Sequence, residues 1–152
     1  MTRYCTGGVV ALGAVLESAT GMNVDMFADE VLFAPLGITN REWAKFDRKR
    51  QIDTGGHLEL TPRGMAAIGQ LVLDRGVHGG RQLVSETWLE ESTRAVTEIN
   101  GEPYAYLWWP LTPRYGERDV QTLVARGNGG QTIMVVPEFE LVFVTTSGYY
   151  NK

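Results

Sequence analysis

Apolar residues in the first quarter of the chain recur at helical spacing. One set repeats every three to four positions between residues 8 and 18: Val9, Leu12, Val15 and Leu16. This pattern predicts an amphipathic helix that ends near Gly21. Residues 22–33 predict a second helix, with Asn23 as its N-cap. The face of that helix predicted to be buried carries Val24, Phe27 and Val31.

Two further helices have clear start signals. Thr61 can cap a helix whose first residue is Pro62, where the missing N–H of proline costs nothing. Ser85 can cap another helix within residues 83–96. Between the second and third helices, residues 39–60 predict irregular structure, with Trp43 and Phe46 as apolar anchors.

The pattern changes after Pro103, where β-branched and aromatic runs alternate with turn-forming residues. Four runs predict strands: "YAYLWW", "VQTLVAR", "QTIMVV" and "LVFVTTS". The short "PEFE" between the last two favours an antiparallel hairpin. Helices first and strands last indicate an α+β fold, with residues 1–100 mainly helical and residues 101–152 an antiparallel sheet. We expect one partial domain over residues 1–152.

Composition narrows the function classes. The 152 residues carry a formal charge of −4, whereas a nucleic-acid-binding domain is usually clearly basic. Cys5 is the single cysteine, and His57 and His78 are too few and too far apart for zinc-ligand spacing. The longest apolar stretch is well below the roughly 20 residues of a membrane-spanning helix. We therefore expect no nucleic-acid partner, no membrane span, no metal and no cofactor, and neither histidine is assigned a role.

Four segments, in order, resemble the C-terminal half of serine hydrolases of the β-lactamase and penicillin-binding protein family. They are "YCTGGVVALGAVLESATGM", "FAPLGI", "TGGHLELTPRGMAAIGQLVLDRGVHGGRQLVSETWLEEST" and "ARGNGGQTIMVVPEFELVFVTTS". The similarity is greatest to class C β-lactamases, DD-peptidases and related esterases. It implies a partial transpeptidase-like fold that lacks its N-terminal part and its last helix. The implied activity is hydrolysis of ester or amide bonds through a serine acyl-enzyme.

The nucleophile of this family lies in a Ser-x-x-Lys motif, which is absent from these 152 residues. None of the serines has a lysine three positions later: Ser18, Ser85, Ser92 and Ser147. The resemblance therefore leaves three hypotheses. The chain is a fragment that is inactive alone, one half of a split enzyme completed by a second chain or segment, or a non-catalytic binding remnant.

The family's second motif, Tyr-x-Asn or Tyr-x-Ser, is similar to Tyr4-Cys5-Thr6. The resemblance implies that Tyr4 is the catalytic proton shuttle, assisted by a lysine from outside this chain. Thr6 would bind substrate through its hydroxyl group. By residue type alone, a tyrosine such as Tyr4 is more often a buried or frayed aromatic near the terminus, and Thr6 is equally a plain N-cap.

The third motif, Lys-Thr-Gly or His-x-Gly on an inner strand, is replaced by Asn128-Gly129-Gly130. The resemblance implies that these residues and Gln131 bind substrate, with the Gln131 N–H as an oxyanion-hole donor. Because Asn128 carries no positive charge, a neutral ester or amide substrate is favoured over a β-lactam carboxylate. Taken alone, the Asn-Gly pair is a hairpin signal.

The resemblance also implies that Tyr4 and residues 128–131 form opposite walls of one cleft. The expected partner is a small ester or amide substrate, together with the missing N-terminal segment or chain. Family members are often exported to the periplasm or the exterior, but the sequence itself does not assign a compartment.

Overall fold

The computed structural model describes residues 3–46 and 51–150. By internal contacts the chain divides into two compact units, Tyr4–Gly64 and a second unit that begins at Met65. Helices and antiparallel strands both contribute, so the predicted α+β class is confirmed. The prediction that the chain is one partial domain stays a prediction.

The first unit contains two helices followed by a small strand pair. Its elements are α1 (Thr6–Thr20), α2 (Val24–Ala28), a π-helical turn (Asp29–Phe33), β1 (Arg41–Trp43) and β2 (Leu58–Leu60). β1 and β2 pair antiparallel, with Arg41 opposite Leu60. Strands inside residues 39–60 correct the prediction of irregular structure there. Three-residue strands are too short for a period-two pattern to stand out.

Helix α1 approaches the loop that carries Thr54 closely at Gly13. Gly13 is buried, and a β-carbon built on it would stand 2.6 Å from Thr54 Oγ1. Leu12 and Val15, predicted to face the core, are instead 58% and 62% exposed. Another element can approach a helix more closely over glycine than over a branched side chain. The buried face of α1 is therefore the one that carries Gly13, and Leu12 and Val15 lie on the exposed side.

Helix α2 continues directly into the π turn, where the N–H of Ala34 donates to the carbonyl of Asp29 at 2.9 Å. This i→i+5 bond widens the turn and rotates the residues beyond it. Phe33 is therefore buried at 2% exposure, while Val31 is 41% exposed, contrary to the prediction. Asn23 does occupy the N-cap position, but its side chain makes no capping hydrogen bond.

Both predicted helix starts further along the chain are confirmed. Helix α3 (Pro62–Leu73) begins with Thr61 Oγ1 accepting from the Gly64 N–H at 3.1 Å. Helix α4 (Glu86–Thr93) begins with Ser85 Oγ accepting from the Trp88 N–H at 3.3 Å. Each cap satisfies a donor that the first helical turn would otherwise leave without a partner.

The second unit is built on a four-stranded antiparallel sheet. The strands of this unit are β3 (Val77–His78), β4 (Arg81–Gln82), β5 (Thr97–Ile99), β6 (Glu102–Tyr104), β7 (Trp109–Leu111), β8 (Arg114–Tyr115), β9 (Arg118–Asp119), β10 (Thr122–Gly127), β11 (Gln131–Val136) and β12 (Leu141–Thr145). The large sheet has the order β12-β11-β10-β7, and the remaining strands form two-stranded hairpins. The predicted β11–β12 hairpin is confirmed, with Pro137–Phe139 as a 3-10 turn.

One predicted strand, "YAYLWW", is wrong as a continuous element. Its residues end β6 and begin β7, and a turn separates the two strands. Leu107 adopts a left-handed backbone with φ of 67°, and the Ala105 N–H donates to the Trp108 carbonyl at 2.9 Å. The Tyr106 N–H bonds to the carbonyl of Ser92 in α4. This contact is distant in sequence, so no local pattern reports it.

The core of the second unit lies between the sheet and α3. Val124 and Val135 are fully buried. Gly69 allows α3 to approach closely, since a β-carbon there would stand 2.6 Å from Val142 Cγ1. On the other face of edge strand β12, Leu141 and Phe143 are 47% and 51% exposed.

Among the described residues, no single helix is long and apolar enough to cross a membrane. One helix pair, Thr6–Thr20 with Val24–Phe33, meets the length and composition criteria together but is bent by 76°.

Candidate functional site

The start of α1 carries the first group of predicted site residues. Tyr4 precedes the helix and is 49% exposed. Cys5 occupies the N-cap position, so Thr6 is the first helical residue and the alternative of Thr6 as N-cap is wrong. The Thr6 methyl group points to Gly55, where an added β-carbon would stand 2.7 Å from Cγ2. A branched side chain at position 55 would push this loop away from α1.

The second group of predicted site residues lies at the end of the β10–β11 hairpin. Asn128 to Gly130 form the turn, and Gln131 is the first residue of β11. Their expected position on an inner strand is therefore corrected for residues 128–130, and the hairpin alternative describes them. Gly129 and Gly130 have φ of 82° and 89°, backbone conformations that favour glycine. We call residues 128–130 the glycine turn.

The chain following β12 lies against the glycine turn. The Gln131 side chain accepts from the Ser147 N–H at 3.1 Å and donates from Nε2 to the Ser147 carbonyl. The Tyr149 N–H donates to the Gly129 carbonyl at 3.1 Å. The Tyr150 ring packs over Gly129, with its hydroxyl 3.4 Å from Gln131 Nε2. Residues 147–150 thus hold the turn and the first residue of β11 in a fixed arrangement.

The predicted residues belong to different units. Tyr4 and Thr6 lie in the first unit, and Asn128, Gly129, Gly130 and Gln131 lie in the second. The structure brings together the members of each group, and the shared cleft between the two groups stays a prediction.

One polar pair near α1 was missed from the sequence. His57 Nδ1 lies 2.7 Å from Asp53 Oδ2, within a loop of residues 53–57 that contacts α1. The sequence assigns no role to either histidine, because an Asp-x-x-x-His spacing in a predicted loop has no periodicity to support it. The glycine pair at positions 55 and 56, directly before His57, was the only local signal of an unusual turn.

Two clefts among the described residues lie away from these groups and contain none of the predicted site residues. A cleft of about 430 Å³ in the second unit lies between α4, β7 and β10. Its lining includes Glu90, Arg94 and Pro110. A cleft of about 320 Å³ in the first unit is lined by two ion pairs, Arg41 with Asp29 and Lys45 with Asp25. No group of three or more potential metal ligands occurs within residues 3–46 and 51–150.

Comparison with known proteins identifies the fold. The chain is similar to the 6-aminohexanoate-dimer hydrolase of Paenarthrobacter ureafaciens, with 25% identity over 97% of this chain and 39% of the relative. A structure from Bacillus anthracis, predicted to be a 6-aminohexanoate-dimer hydrolase, matches 98% of this chain and 39% of its own, with TM-score 0.82 and 22% identity. The octameric penicillin-binding protein homologue of Pyrococcus abyssi matches 97% of this chain and 39% of its own, with TM-score 0.73 and 16% identity. No family model matches.

The chain therefore has the fold of the C-terminal part of the β-lactamase-like serine hydrolases, as its sequence segments indicated. Its relatives are β-lactamase-like hydrolases, and the chain spans about 39% of the length of the curated relative it matches.

Proposed function

We propose that this chain supplies one part of the site of a serine hydrolase that cleaves ester or amide bonds through a serine acyl-enzyme. The observation that carries the proposal is the likeness of nearly the whole chain to such hydrolases, at TM-score 0.82 over 98% of its length. The serine and its lysine would come from outside these 152 residues, which contain no Ser-x-x-Lys.

In this proposal Tyr4 is the catalytic residue that moves the proton. It takes a proton from the attacking serine hydroxyl and returns it to the leaving group. The lysine of the missing motif would favour the phenolate through its positive charge. Thr6 lies two positions later at the first turn of α1, and its hydroxyl would bind the substrate.

In this proposal the glycine turn and Gln131 would bind the substrate. Gly129 and Gly130 carry no side chain, so a substrate would approach their backbone on the side away from Tyr150 and Ser147, which pack against them. The Gln131 N–H would donate to the developing oxyanion, a contact typically worth about 3 kcal/mol in acyl transfer. The side chain of Gln131 is already bonded to Ser147, which supports a fixed position for the backbone of this residue.

A neutral substrate is favoured because Asn128 stands where the family usually has lysine or histidine. The curated relative is named for hydrolysis of a 6-aminohexanoate dimer, which favours an amide within this class. The second candidate is a split enzyme, in which a second chain carries Ser-x-x-Lys. The absence of that motif from these 152 residues favours it, because the nucleophile would then have to come from the other chain.

The test is an assay of the chain by itself. We expect no turnover of nitrocefin or of p-nitrophenyl esters, and no stable adduct with a fluorophosphonate probe, because there is no activated serine to react. The Tyr4→Phe variant gives the background rate. Turnover above that background, with a labelled serine, would reveal a nucleophile within this chain and contradict the proposal.

A further inference from the structure

The pair of Asp53 and His57 has the geometry of an oriented general base. Asp53 Oδ2 lies 2.7 Å from His57 Nδ1, and a carboxylate can only accept in this bond. Nδ1 therefore carries the proton, and in the neutral imidazole Nε2 is left with a lone pair. The Asp53 side chain is 13% exposed, whereas that of His57 is 75% exposed. The carboxylate is thus sheltered, and the imidazole faces solvent or a ligand.

Several hydrogen bonds fix the loop that carries this pair. The Trp43 indole N–H donates to the carbonyls of Asp53 at 2.9 Å and Gly56 at 3.2 Å. Asp53 Oδ1 accepts from the Gly55 N–H at 3.1 Å, so both carboxylate oxygens are engaged. Thr54 Oγ1 donates to the Val9 carbonyl in α1 at 2.9 Å. The orientation of the imidazole is therefore set by a framework rather than by a single contact.

The backbone of His57 is in an unusual conformation. Its φ of 55° lies in the left-handed region, which residues other than glycine rarely adopt. The carbonyl of His57 accepts from the Ala44 N–H at 3.1 Å, and this bond helps to hold the conformation. Strain of this kind persists only where the surroundings determine it, and it is concentrated at functional sites.

The loop lies against the first turns of α1. Gly55 contacts Thr6, since a β-carbon there would stand 2.7 Å from Thr6 Cγ2 and 3.2 Å from the Thr6 carbonyl oxygen. His57 is two residues from Gly55, and Tyr4 is two residues from Thr6. Two residues span at most about 7 Å of chain. His57 and Tyr4 therefore belong to the same end of α1.

We propose that His57, oriented by Asp53, is the general base for the water that hydrolyses the acyl-enzyme, an inference that rests on the proposed function. The water gives one proton to Nε2 while its oxygen bonds to the acyl carbon. The bond between the acyl carbon and the serine oxygen then breaks, and His57 returns the proton to that oxygen. The serine belongs to the nucleophile-bearing segment that the proposed function requires. Asp53 is a positioning residue that keeps Nδ1 protonated.

The first test uses the 152-residue chain and long-range ¹H–¹⁵N correlation spectra of its two histidines at pH 8. We expect His57 to be protonated at Nδ1, and the Asp53→Asn variant to lose this preference. His78, which is exposed in β3, is the internal reference. A His57 protonated at Nε2, or one with the same tautomer mixture as His78, would overturn the proposal.

The second test uses the chain joined to a Ser-x-x-Lys segment, in a burst assay with a p-nitrophenyl ester. His57→Gln should keep the burst of acylation and lower the steady-state rate by about 100-fold or more, the usual contribution of a general base. Asp53→Asn should lower the same rate, and His78→Gln should leave it unchanged.

Equal loss of burst and steady state, or no loss, overturns the role of His57. If no added segment restores hydrolysis, the proposed function is wrong, and the role of His57 as general base is wrong with it. The orientation of His57 by Asp53 is tested separately by the NMR spectra.

Discussion

The ring of Tyr150 lies directly against the backbone of Gly129. A β-carbon built on Gly129 would stand 2.4 Å from Tyr150 Cε1, and Gly129 has φ of 82°. Glycine is thus required there for two reasons, the backbone conformation and the aromatic contact. If the glycine turn binds substrate as proposed, the chain after β12 would lie beside the bound substrate.

We expect Gly129→Ala to lower the free energy of unfolding by about 1–2 kcal/mol, the usual cost of a left-handed backbone at a residue with a side chain. It should also displace the Tyr150 ring, since the added methyl group would overlap with the ring. Urea unfolding measures the first effect, and the ring signals of Tyr150 in NMR spectra measure the second.

Gly101→Ala is the matched control for Gly129→Ala. Gly101 has the same φ of 82°, but nothing lies within 4 Å of an added β-carbon. It should show the backbone cost alone, a loss of stability no larger than that of Gly129→Ala, and leave the Tyr150 signals in place. Unchanged Tyr150 signals in Gly129→Ala would contradict the contact.

The two N-caps predicted from residue type should differ in energy. Ser85→Ala is expected to lower the free energy of unfolding by about 1 kcal/mol, because Ser85 Oγ accepts from the Trp88 N–H. Asn23→Ala should change it by less than half of that amount, because the Asn23 side chain makes no capping bond. Thermal and urea unfolding of both variants measure the difference, and equal losses would refute it.

The elements predicted correctly are those whose signals are local. Thr61-Pro62 and Ser85 mark helix starts by the chemistry of single residues, and β11 and β12 are runs of β-branched residues around one turn. The missed features depend on distant contacts. β1 and the loop of residues 53–57 are joined by the Trp43 indole, which reaches a carbonyl ten positions away.

The candidate site divides in the same way. Gly129 and Gly130 were predicted as backbone that a substrate can approach, and their positive φ angles explain the residue type. Their place in a turn depends on where β10 ends, and the sequence could not decide between turn and strand. The sequence does not predict the pairing of Asp53 with His57, because no local pattern indicates the left-handed backbone of His57 or the course of this loop.

Exposed apolar side chains on α1 and β12 predict dye binding or self-association. Leu12 and Val15 are more than half exposed, as is Phe143, and contiguous apolar surface of several hundred Å² favours association. Phe143→Thr and Leu12→Gln should each lower the fluorescence of a bound hydrophobic dye and the associated fraction in sedimentation.

Val96→Thr is the control for these surface variants. Val96 is 54% exposed but lies outside both elements, so this change should have little effect. A monodisperse chain that binds no dye and unfolds cooperatively would contradict the prediction.

The most direct test of the proposed function is restoration of the missing chemistry. The chain would be joined to the part of the Paenarthrobacter ureafaciens relative that lies outside the matched 39%. The account predicts that this protein hydrolyses p-nitrophenyl esters, that a fluorophosphonate labels a serine of the added part, and that Tyr4→Phe lowers the rate by about 100-fold or more. A folded fusion without hydrolysis, a label on a serine of this chain, or full activity of Tyr4→Phe would contradict it.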